Sequence, residues 1–437
     1  MKHEMRRRIY GIETEYGTSS CCLIEESDLD SHMIEIANRI SSYLNEKALR
    51  GFLPNGGKFY MDDGTDECLL SNRGGHPEYS TPETDSPIDT ALYDKAGELI
   101  VSGILSNIVV YKNNEDSFGH TYGCHENYLV DEGKYDYILN NILPFLATRQ
   151  VFAGAGRYSK EYNRWKFRIS QRSPYIHKDS DLIKDSDFSY SPKGYDRLQI
   201  ICGDSSMSEI VTYLKIGTTS LVLDLIENGV QPELELKNPI AAFRGISKSC
   251  NVRYPVKLSN GKTVSALDIQ WQYIDAVERH LEDGYGILKE WKEKISMLEK
   301  DPESAMFVDW VAKQWMVEDL IGRGVSRENT DWLDLEYHNI DRIHGPFYIM
   351  QDEGLVPRRF NEENVMRATQ EPPPTTRAKI RSDVIREYAG DLSRIDWTEF
   401  EIRDSLYKTE DPFSADFDVT AGFMNKLPKA CRPEKRP

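Results

Sequence analysis

The chain has 437 residues, of which 39% are hydrophobic and 29% are charged, and its formal net charge is −18. This composition is typical of a globular protein with room for one large domain and a smaller one. The negative charge argues against non-specific nucleic-acid binding, which needs a basic surface, but it allows a local basic pocket for an anion such as ATP.

Targeting signals are missing from the sequence pattern. No apolar run reaches the roughly 18 residues of a membrane span, and the first residues lack the apolar stretch of a signal peptide. The seven cysteines form no CxxC pair. We therefore expect reduced thiols in a cytoplasmic protein, with neither a membrane nor a nucleic acid as partner.

The first informative segment is Gly-Ile-Glu-Thr-Glu-Tyr-Gly at residues 11–17. Its alternation predicts a strand with Glu13 and Glu15 on one face. Two like charges at this spacing repel each other, and burying them costs several kcal/mol or more unless a cation is present. The pattern indicates a divalent metal, Mg²⁺, held by oxygen ligands. The alternative is an edge strand with an acidic face in water.

A helix is predicted over residues 28–49, followed by a strand over residues 58–62. Alternation in that strand places Lys58, Tyr60 and Asp62 on one face and the apolar residues on the other. A cation, a phenol and a carboxylate therefore lie together opposite an apolar face.

Residues 63–75 are predicted to form a flexible loop that returns into a strand within residues 76–83. Prolines at both ends of this strand keep it short or at an edge. A basic strand over residues 167–172 is expected nearby. If the acidic strands are adjacent and antiparallel, they form a concave polar surface. Its predicted members are Glu13, Glu15, Lys58, Tyr60, Asp62 and Glu78.

The rest of the chain alternates between helical and strand patterns, with an acidic, irregular surface loop predicted over residues 177–196. The clearest linker signal is Glu371-Pro-Pro-Pro374, so we predict domains at 1–370 and 371–437. Further helices are predicted over 90–106, 140–153 and 208–227, strands over 108–114 and 198–203, and mainly helices over 265–350.

A polar sheet surface of this kind suits Mg–ATP chemistry, because Mg²⁺ bridges phosphate oxygens and cations spread the charge of a transferring phosphoryl group. A carbohydrate hydrolase with paired carboxylates is a second interpretation, and an acidic structural protein is a third. The sequence contains neither a GxGxxG motif nor a Walker P-loop.

Six motifs, in order along the chain, give a family resemblance. The sequence resembles the Pup ligase and Pup deamidase family, which is similar to glutamine synthetase and the carboxylate–amine ligases. Cys124 and the missing insertion after the first strand resemble the ligase branch. The motifs are Gly11–Gly17, Asn55–Asp62, His76–Tyr79, Tyr111–Asn114, Tyr122–Leu129 and Thr375–Ala378.

The resemblance implies an α+β fold: a glutamine-synthetase-like curved antiparallel sheet flanked by helices, with a small C-terminal α/β domain packed against it. The implied activity joins the C-terminal glutamate of a small disordered Pup-like modifier to a lysine of a target protein. ATP phosphorylates the carboxylate first. The alternatives are a hydrolytic relative, which is a deamidase, depupylase or ATP phosphohydrolase, and a nucleotide-binding regulator without enzymatic activity.

The resemblance also implies residue roles. Asp62 aligns with the catalytic base, and Lys58 stands where the family usually has arginine. The family's segment before residue 198 is replaced here by residues 184–194. The implied magnesium ligands are Glu13, Tyr60 and Glu78, and the implied ATP contacts are Lys58, Thr81 and Trp397.

Overall fold

The structure is a computed structural model that describes residues 2–20, 51–61, 76–106, 108–115, 121–161, 164–184, 191–403 and 405–416. The predicted helix over 28–49, the predicted loop over 63–75 and Asp62 lie outside the described residues.

The strands are short and are distributed over the whole described chain. In chain order they are β1 (His3–Glu4), β2 (Tyr10–Glu15), β3 (Gly17–Ser20), β4 (Lys58–Met61), β5 (Pro77–Ser80), β6 (Ile108–Tyr111), β7 (Cys124–Asp131), β8 (Arg157–Glu161), β9 (Arg164–Arg168), β10 (Tyr195–Ile200), β11 (Pro255–Lys257), β12 (Thr263–Ser265), β13 (Leu281–Glu282), β14 (Leu392–Ile395), β15 (Glu399–Ile402) and β16 (Ser405–Lys408).

The longer helices lie between β5 and β10 and after β10. In chain order they are α1 (Pro87–Ile104), α2 (Tyr135–Ala153), α3 (Glu209–Glu227), α4 (Pro239–Ser249), α5 (Ala266–His280), α6 (Ile287–Lys300), α7 (Asp309–Gly322), α8 (Thr330–Glu336), α9 (Pro346–Asp352), α10 (Glu362–Ala368) and α11 (Arg377–Tyr388). The predicted helices over 90–106, 140–153 and 208–227 correspond to α1, α2 and α3. Ser208 caps α3 by accepting a hydrogen bond from the Val211 amide at 3.4 Å.

The main sheet has five strands in the order β10-β7-β2-β5-β4, and every neighbouring pair is antiparallel. Residues paired across antiparallel strands point to the same face. The register therefore gives one face with most of the charged side chains and one face with mainly apolar side chains, including Ile12, Phe59, Tyr79, Tyr128 and Leu198. This antiparallel sheet, together with the helices, confirms the predicted α+β class.

Helices α1 and α3 pack against the apolar face of the sheet. Gly97 of α1 allows the closest approach, because a Cβ atom at this position would lie 2.3 Å from Cδ1 of Tyr79. The polar face is thus left open on the opposite side of the sheet from these two helices.

The basic segment 167–172 is predicted to be a strand, but only its first two residues belong to one, and that strand does not join the main sheet. Strand β9 ends at Arg168 and pairs with β8 in a separate hairpin. The chain then turns because the Asp204 carboxylate accepts hydrogen bonds from the amides of Gln171 and Arg172, both at 3.0 Å. These amides are therefore not available to a strand ladder.

The segment 177–196 is only partly a surface loop. A 3-10 helix covers Asp179–Asp181, and the next two residues, Leu182 and Ile183, are buried. Ile183 pairs with Ile200 at the edge of β10. Residues 185–190 lie outside the described residues.

Residues 377–408, called the C-terminal residues below, form α11 followed by the antiparallel sheet β14-β15-β16. They share an apolar cluster that includes Ile380, Phe400 and Tyr407, and Phe52 from the N-terminal part of the chain joins this cluster. The boundary between residues 370 and 371 stays a prediction.

The expectations about membrane spans and reduced thiols can be compared with the described residues. No helix in the described ranges is both long enough and apolar enough to cross a membrane. Cys124, Cys202 and Cys250 are free thiols.

Replacing Ile12 by alanine should test how strongly the sheet depends on its apolar face. Ile12 is 1% exposed, so we expect Ile12→Ala to lower the free energy of unfolding by about 2–5 kcal/mol through lost burial and the remaining cavity. Urea denaturation measures the change. The control is Ile343→Ala, because Ile343 is 77% exposed and its truncation should change stability by about 0.5 kcal/mol or less. Equal losses in both variants would contradict this account of the packing.

Candidate active site

The register arranges the polar face in rows that run across the strands. In the first row, Tyr60 lies opposite Glu78, which lies opposite Glu15. Tyr60 Oη donates a hydrogen bond to Glu78 Oε1 at 2.7 Å and lies 3.1 Å from Ser80 Oγ. Burial and the negative charges of Glu78 and Glu13 raise the pKa of Tyr60, so its phenol stays neutral.

In the second row, Lys58, Ser80, Glu13 and His125 lie opposite one another in this order. Gln199 Nε2 donates to Glu13 Oε2 at 2.8 Å, and His125 Nδ1 lies 3.4 Å from the same oxygen. Burial alone would raise the pKa of Glu13. The hydrogen bond and charge of His125 outweigh it and lower the pKa, so Glu13 is ionised.

Two of the predicted ATP contacts line a cleft above this face. Thr81 Oγ1 accepts a hydrogen bond from the Ile12 amide at 3.0 Å, which leaves its hydroxyl hydrogen to donate elsewhere. Trp397, Glu13 and Ser80 line the same cleft. The cleft encloses about 630 Å³ of empty space, including the part open to solvent.

Lys58 lies beside this cleft, above aromatic rings. Its Nζ atom is 5.3 Å from the centre of the Phe52 ring and 5.0 Å from that of Tyr60. The Phe52 ring meets the Trp397 ring edge to face at 5.1 Å. The cation and the tryptophan are therefore connected through one aromatic contact.

The wall that carries Trp397 is fixed by Glu83 and two arginines. Arg377 Nε donates to Glu83 Oε1 at 2.8 Å, and Arg381 donates to both Glu83 oxygens. Arg381 also donates to the carbonyl oxygens of Trp397 at 2.9 Å and Gly56 at 3.0 Å, and its guanidinium lies 4.8 Å from the Trp397 ring centre. These contacts connect the C-terminal residues to the main sheet.

Gly56 allows the turn before β4 to pack closely against α11. Its φ is +82°, in the region that favours glycine, and a Cβ atom here would lie 2.6 Å from the carbonyl oxygen of Ala378. Any side chain would therefore push α11 away from the turn before β4.

The residues of the polar face fit a magnesium ion. Within the described ranges, no three His, Cys, Asp or Glu side chains lie close enough together to hold a metal ion. Mg²⁺ does not need such a cage, because it is usually bound by one or two carboxylates together with substrate phosphates and water. Glu13 and Glu78 supply two carboxylates, and the neutral Tyr60 phenol orients the second by its hydrogen bond.

The structure brings most of the predicted site residues together. Glu13, Tyr60, Glu78 and Lys58 lie in the two rows of the polar face, and Thr81 and Trp397 line the cleft. Asp62, the predicted base, follows β4 but lies outside the described residues.

The sequence analysis missed other residues that line the cleft: Glu83, Asn127, Arg197 and Arg377. For Arg197 a signal existed, because alternation puts it on the same face of β10 as Gln199. The predicted strand began only at residue 198, so this position was not considered.

The motif that contains His125 divides between the two faces of the sheet. His125 points to the polar face beside Glu13, whereas Glu126 is buried on the other side and is held by Arg149, with Nη1 2.8 Å from Oε2. His125 and Glu126 therefore cannot hold one metal ion together.

Known structures resemble the whole described architecture. The crystal structure of the complex between the prokaryotic ubiquitin-like protein Pup and its ligase PafA aligns with a TM-score of 0.84 and 29% identity, covering 95% of this chain and 91% of that chain. The structure of PafA in complex with ADP aligns with a TM-score of 0.76 and 26% identity, covering 94% of this chain and 95% of that chain. Fold and site together define an α+β enzyme of the carboxylate–amine ligase class.

Sequence comparisons give the family. The family model described as "Pup-ligase protein" matches residues 8–401. Pup–protein ligases of Acidimicrobium ferrooxidans and Gordonia bronchialis are 34% and 35% identical over 455 residues, each covering 94% of this chain and 97% of the relative. The chain belongs to the Pup-ligase family.

Replacing Glu83 by glutamine should weaken the attachment of the C-terminal residues in a pH-dependent way. Burial raises the pKa of Glu83, but the charges of Arg381 and Arg377 outweigh this effect and lower it to about 2 from 4.5. The ionised carboxylate therefore stabilises the fold fully above pH 4.5, and this contribution is lost as the pH falls towards 2.

We expect Glu83→Gln to cost on the order of 3 kcal/mol at pH 7, measured by urea denaturation, and the difference from the unmodified protein to shrink below pH 4.5. The exposed pair of Asp391 and Arg403 provides the control Asp391→Asn, which should change stability little. A difference that stays constant between pH 7 and pH 3 would refute the assignment.

Proposed function

We propose that the chain is an ATP-dependent ligase that joins the C-terminal glutamate of a small, disordered Pup-like modifier to a lysine of a target protein. One observation carries the proposal. Glu13 of the polar face lines one cleft together with Thr81 and Trp397, and Tyr60, Glu78 and Lys58 lie on neighbouring strands of the same face. The relatives named Pup–protein ligase and the PafA structures with Pup and with ADP support it.

In the proposed complex, Trp397 contacts the nucleotide base, while the Thr81 hydroxyl and the Lys58 ammonium contact its phosphates. Glu13 and Glu78 would hold Mg²⁺, with Tyr60 orienting Glu78 through its hydrogen bond. The ion, when bound, supplies positive charge next to the phosphate oxygens. Lys58 offers a single point of charge rather than the two-pronged contact of an arginine.

The reaction has two steps. An oxygen of the modifier's glutamate carboxylate attacks the γ-phosphorus of ATP, the bond to the β-phosphate breaks, and ADP and an acyl phosphate form. The lysine nitrogen then attacks the acyl carbon, phosphate leaves, and an isopeptide bond forms. An ammonium has no free electron pair, so a base must take a proton from the lysine. We assign this role to Asp62.

Replacing Asp62 by asparagine should separate binding from turnover. Without the base, we expect conjugate formation to fall by a factor of about 10²–10⁴, whereas ATP affinity should stay close to that of the unmodified protein. The measurements are mass spectrometry of lysine adducts, with a modifier ending in glutamate, and calorimetric titration of ATP.

The control for this variant is Asp352→Asn, which removes an exposed carboxylate paired with Arg358 and should change neither quantity. Undiminished conjugation by Asp62→Asn would reject the role of Asp62. Rapid phosphate release from ATP without modifier or amine would favour the hydrolytic alternative over the ligase.

Replacing Trp397 by alanine should weaken nucleotide binding. Stacking of a base on an aromatic ring contributes about 1–3 kcal/mol, so we expect the KM for ATP to rise roughly tenfold or more, with a smaller change in kcat. Trp397→Phe keeps an aromatic ring and should recover much of the affinity. The exposed Trp332→Ala is the control. An unchanged KM in Trp397→Ala would remove this residue from the proposed nucleotide site.

A further inference from the structure

Two amide side chains flank Glu13 on the polar face. Asn127 of β7 lies opposite Gly11 on one side and opposite Gln199 on the other. Gln199 Nε2 donates to Glu13 Oε2 at 2.8 Å, and Asn127 also forms a hydrogen bond with the Glu13 side chain. An ionised carboxylate only accepts hydrogen bonds, so both amides must turn their NH₂ groups towards Glu13.

This orientation determines what the two amide oxygens can do. Asn127 Oδ1 and Gln199 Oε1 are both buried, and neither has a hydrogen-bond partner in the described part of the chain. A buried acceptor without a donor destabilises the folded protein. Two such oxygens beside one carboxylate indicate that a group carrying hydrogen-bond donors completes this part of the site.

Asn127 is the amide that can meet a ligand. It lines the cleft, and Gly11 opposite has no side chain that would cover it. Gln199 is 5% exposed and does not line the cleft. Gln199 therefore supports Glu13 from the side, while Asn127 both supports Glu13 and faces the cleft.

We propose that Asn127, beside Glu13, binds the water shell of the magnesium ion that accompanies the nucleotide. This inference rests on the proposed function. Mg²⁺ gives up its waters reluctantly and keeps several of them in protein sites. Metal-bound waters donate hydrogen bonds, which amide oxygens accept. Phosphate oxygens cannot take this place, because ionised phosphate offers only acceptors.

The test uses Mn²⁺ as the probe metal and the full chain, with ADP and without modifier or target protein. Paramagnetic resonance of free Mn²⁺ gives the metal affinity at saturating ADP, and calorimetry in EDTA gives the metal-free affinity for ADP. We expect Asn127→Leu to weaken Mn²⁺ binding about tenfold, as is typical for residues that support a metal site, and to change metal-free ADP binding by less than about twofold.

Asn127→Asp provides the second variant, because it keeps an oxygen in place but cannot donate to Glu13. If the side-chain oxygen at position 127 accepts hydrogen bonds from metal-bound water, this variant should bind Mn²⁺ at least as tightly as the unmodified protein. The matched control is Asn140→Leu, which removes an amide from the exposed surface of α2 and should leave both affinities unchanged. Thermal melting checks that each variant is folded.

Three outcomes would overturn the inference. An unchanged Mn²⁺ affinity in Asn127→Leu would show that Asn127 does not contribute to metal binding. An equal loss of Mn²⁺ affinity in Asn127→Leu and Asn127→Asp would show that Asn127 acts only through its hydrogen bond to Glu13. A parallel loss of metal-free ADP affinity would place Asn127 on the nucleotide itself. If the unmodified protein bound neither ADP nor Mn²⁺, the proposed function would fail as well, which distinguishes the two failures.

Discussion

The site depends on the register of β2 with its two neighbours. Glu13 faces the cleft because it lies opposite Ser80 on β5 and His125 on β7. A slip by one residue would turn Glu13 towards the helices and Ile12 towards the cleft. Thr81 holds β2 on one side, since its amide donates to the Ile12 carbonyl at 2.9 Å and its hydroxyl accepts from the Ile12 amide. The same threonine therefore fixes the register and lines the cleft.

The second constraint joins parts of the chain that are about 300 residues apart. Arg377 and Arg381 of α11 meet Glu83, which follows β5. Removing either partner would leave buried charge without compensation, which is costly. The part of the cleft that contains Trp397 consequently depends on these ion pairs as well as on apolar packing. A cleft built in this way is complete only when the C-terminal residues are docked.

Sequence patterns predicted which residues share a face but not which strands are neighbours. Alternation placed Glu13, Tyr60 and Glu78 correctly, because the side-chain period of a strand is independent of its partners. The placement of β7 beside β2, and of β10 beside β7, comes from long-range pairing, so Asn127 was not recognised. Residues 167–172 have a strand-like composition, yet the amides of Gln171 and Arg172 donate hydrogen bonds to the buried Asp204 carboxylate. A local sequence pattern cannot predict a hydrogen bond to a carboxylate from a distant segment.

The net charge of −18 has the same sign as the charge of a nucleotide. Charges separated by more than about 8–10 Å are largely screened by physiological salt, whereas close and partly buried charges are not. Arg197 and Arg377 line the cleft, and Lys58 lies beside it. A bound magnesium ion would add positive charge between the carboxylates and the phosphates. Local cations can therefore dominate the field at the cleft while the rest of the surface stays acidic, which makes the arrangement of a few side chains, rather than the overall charge, decisive for the anion that binds.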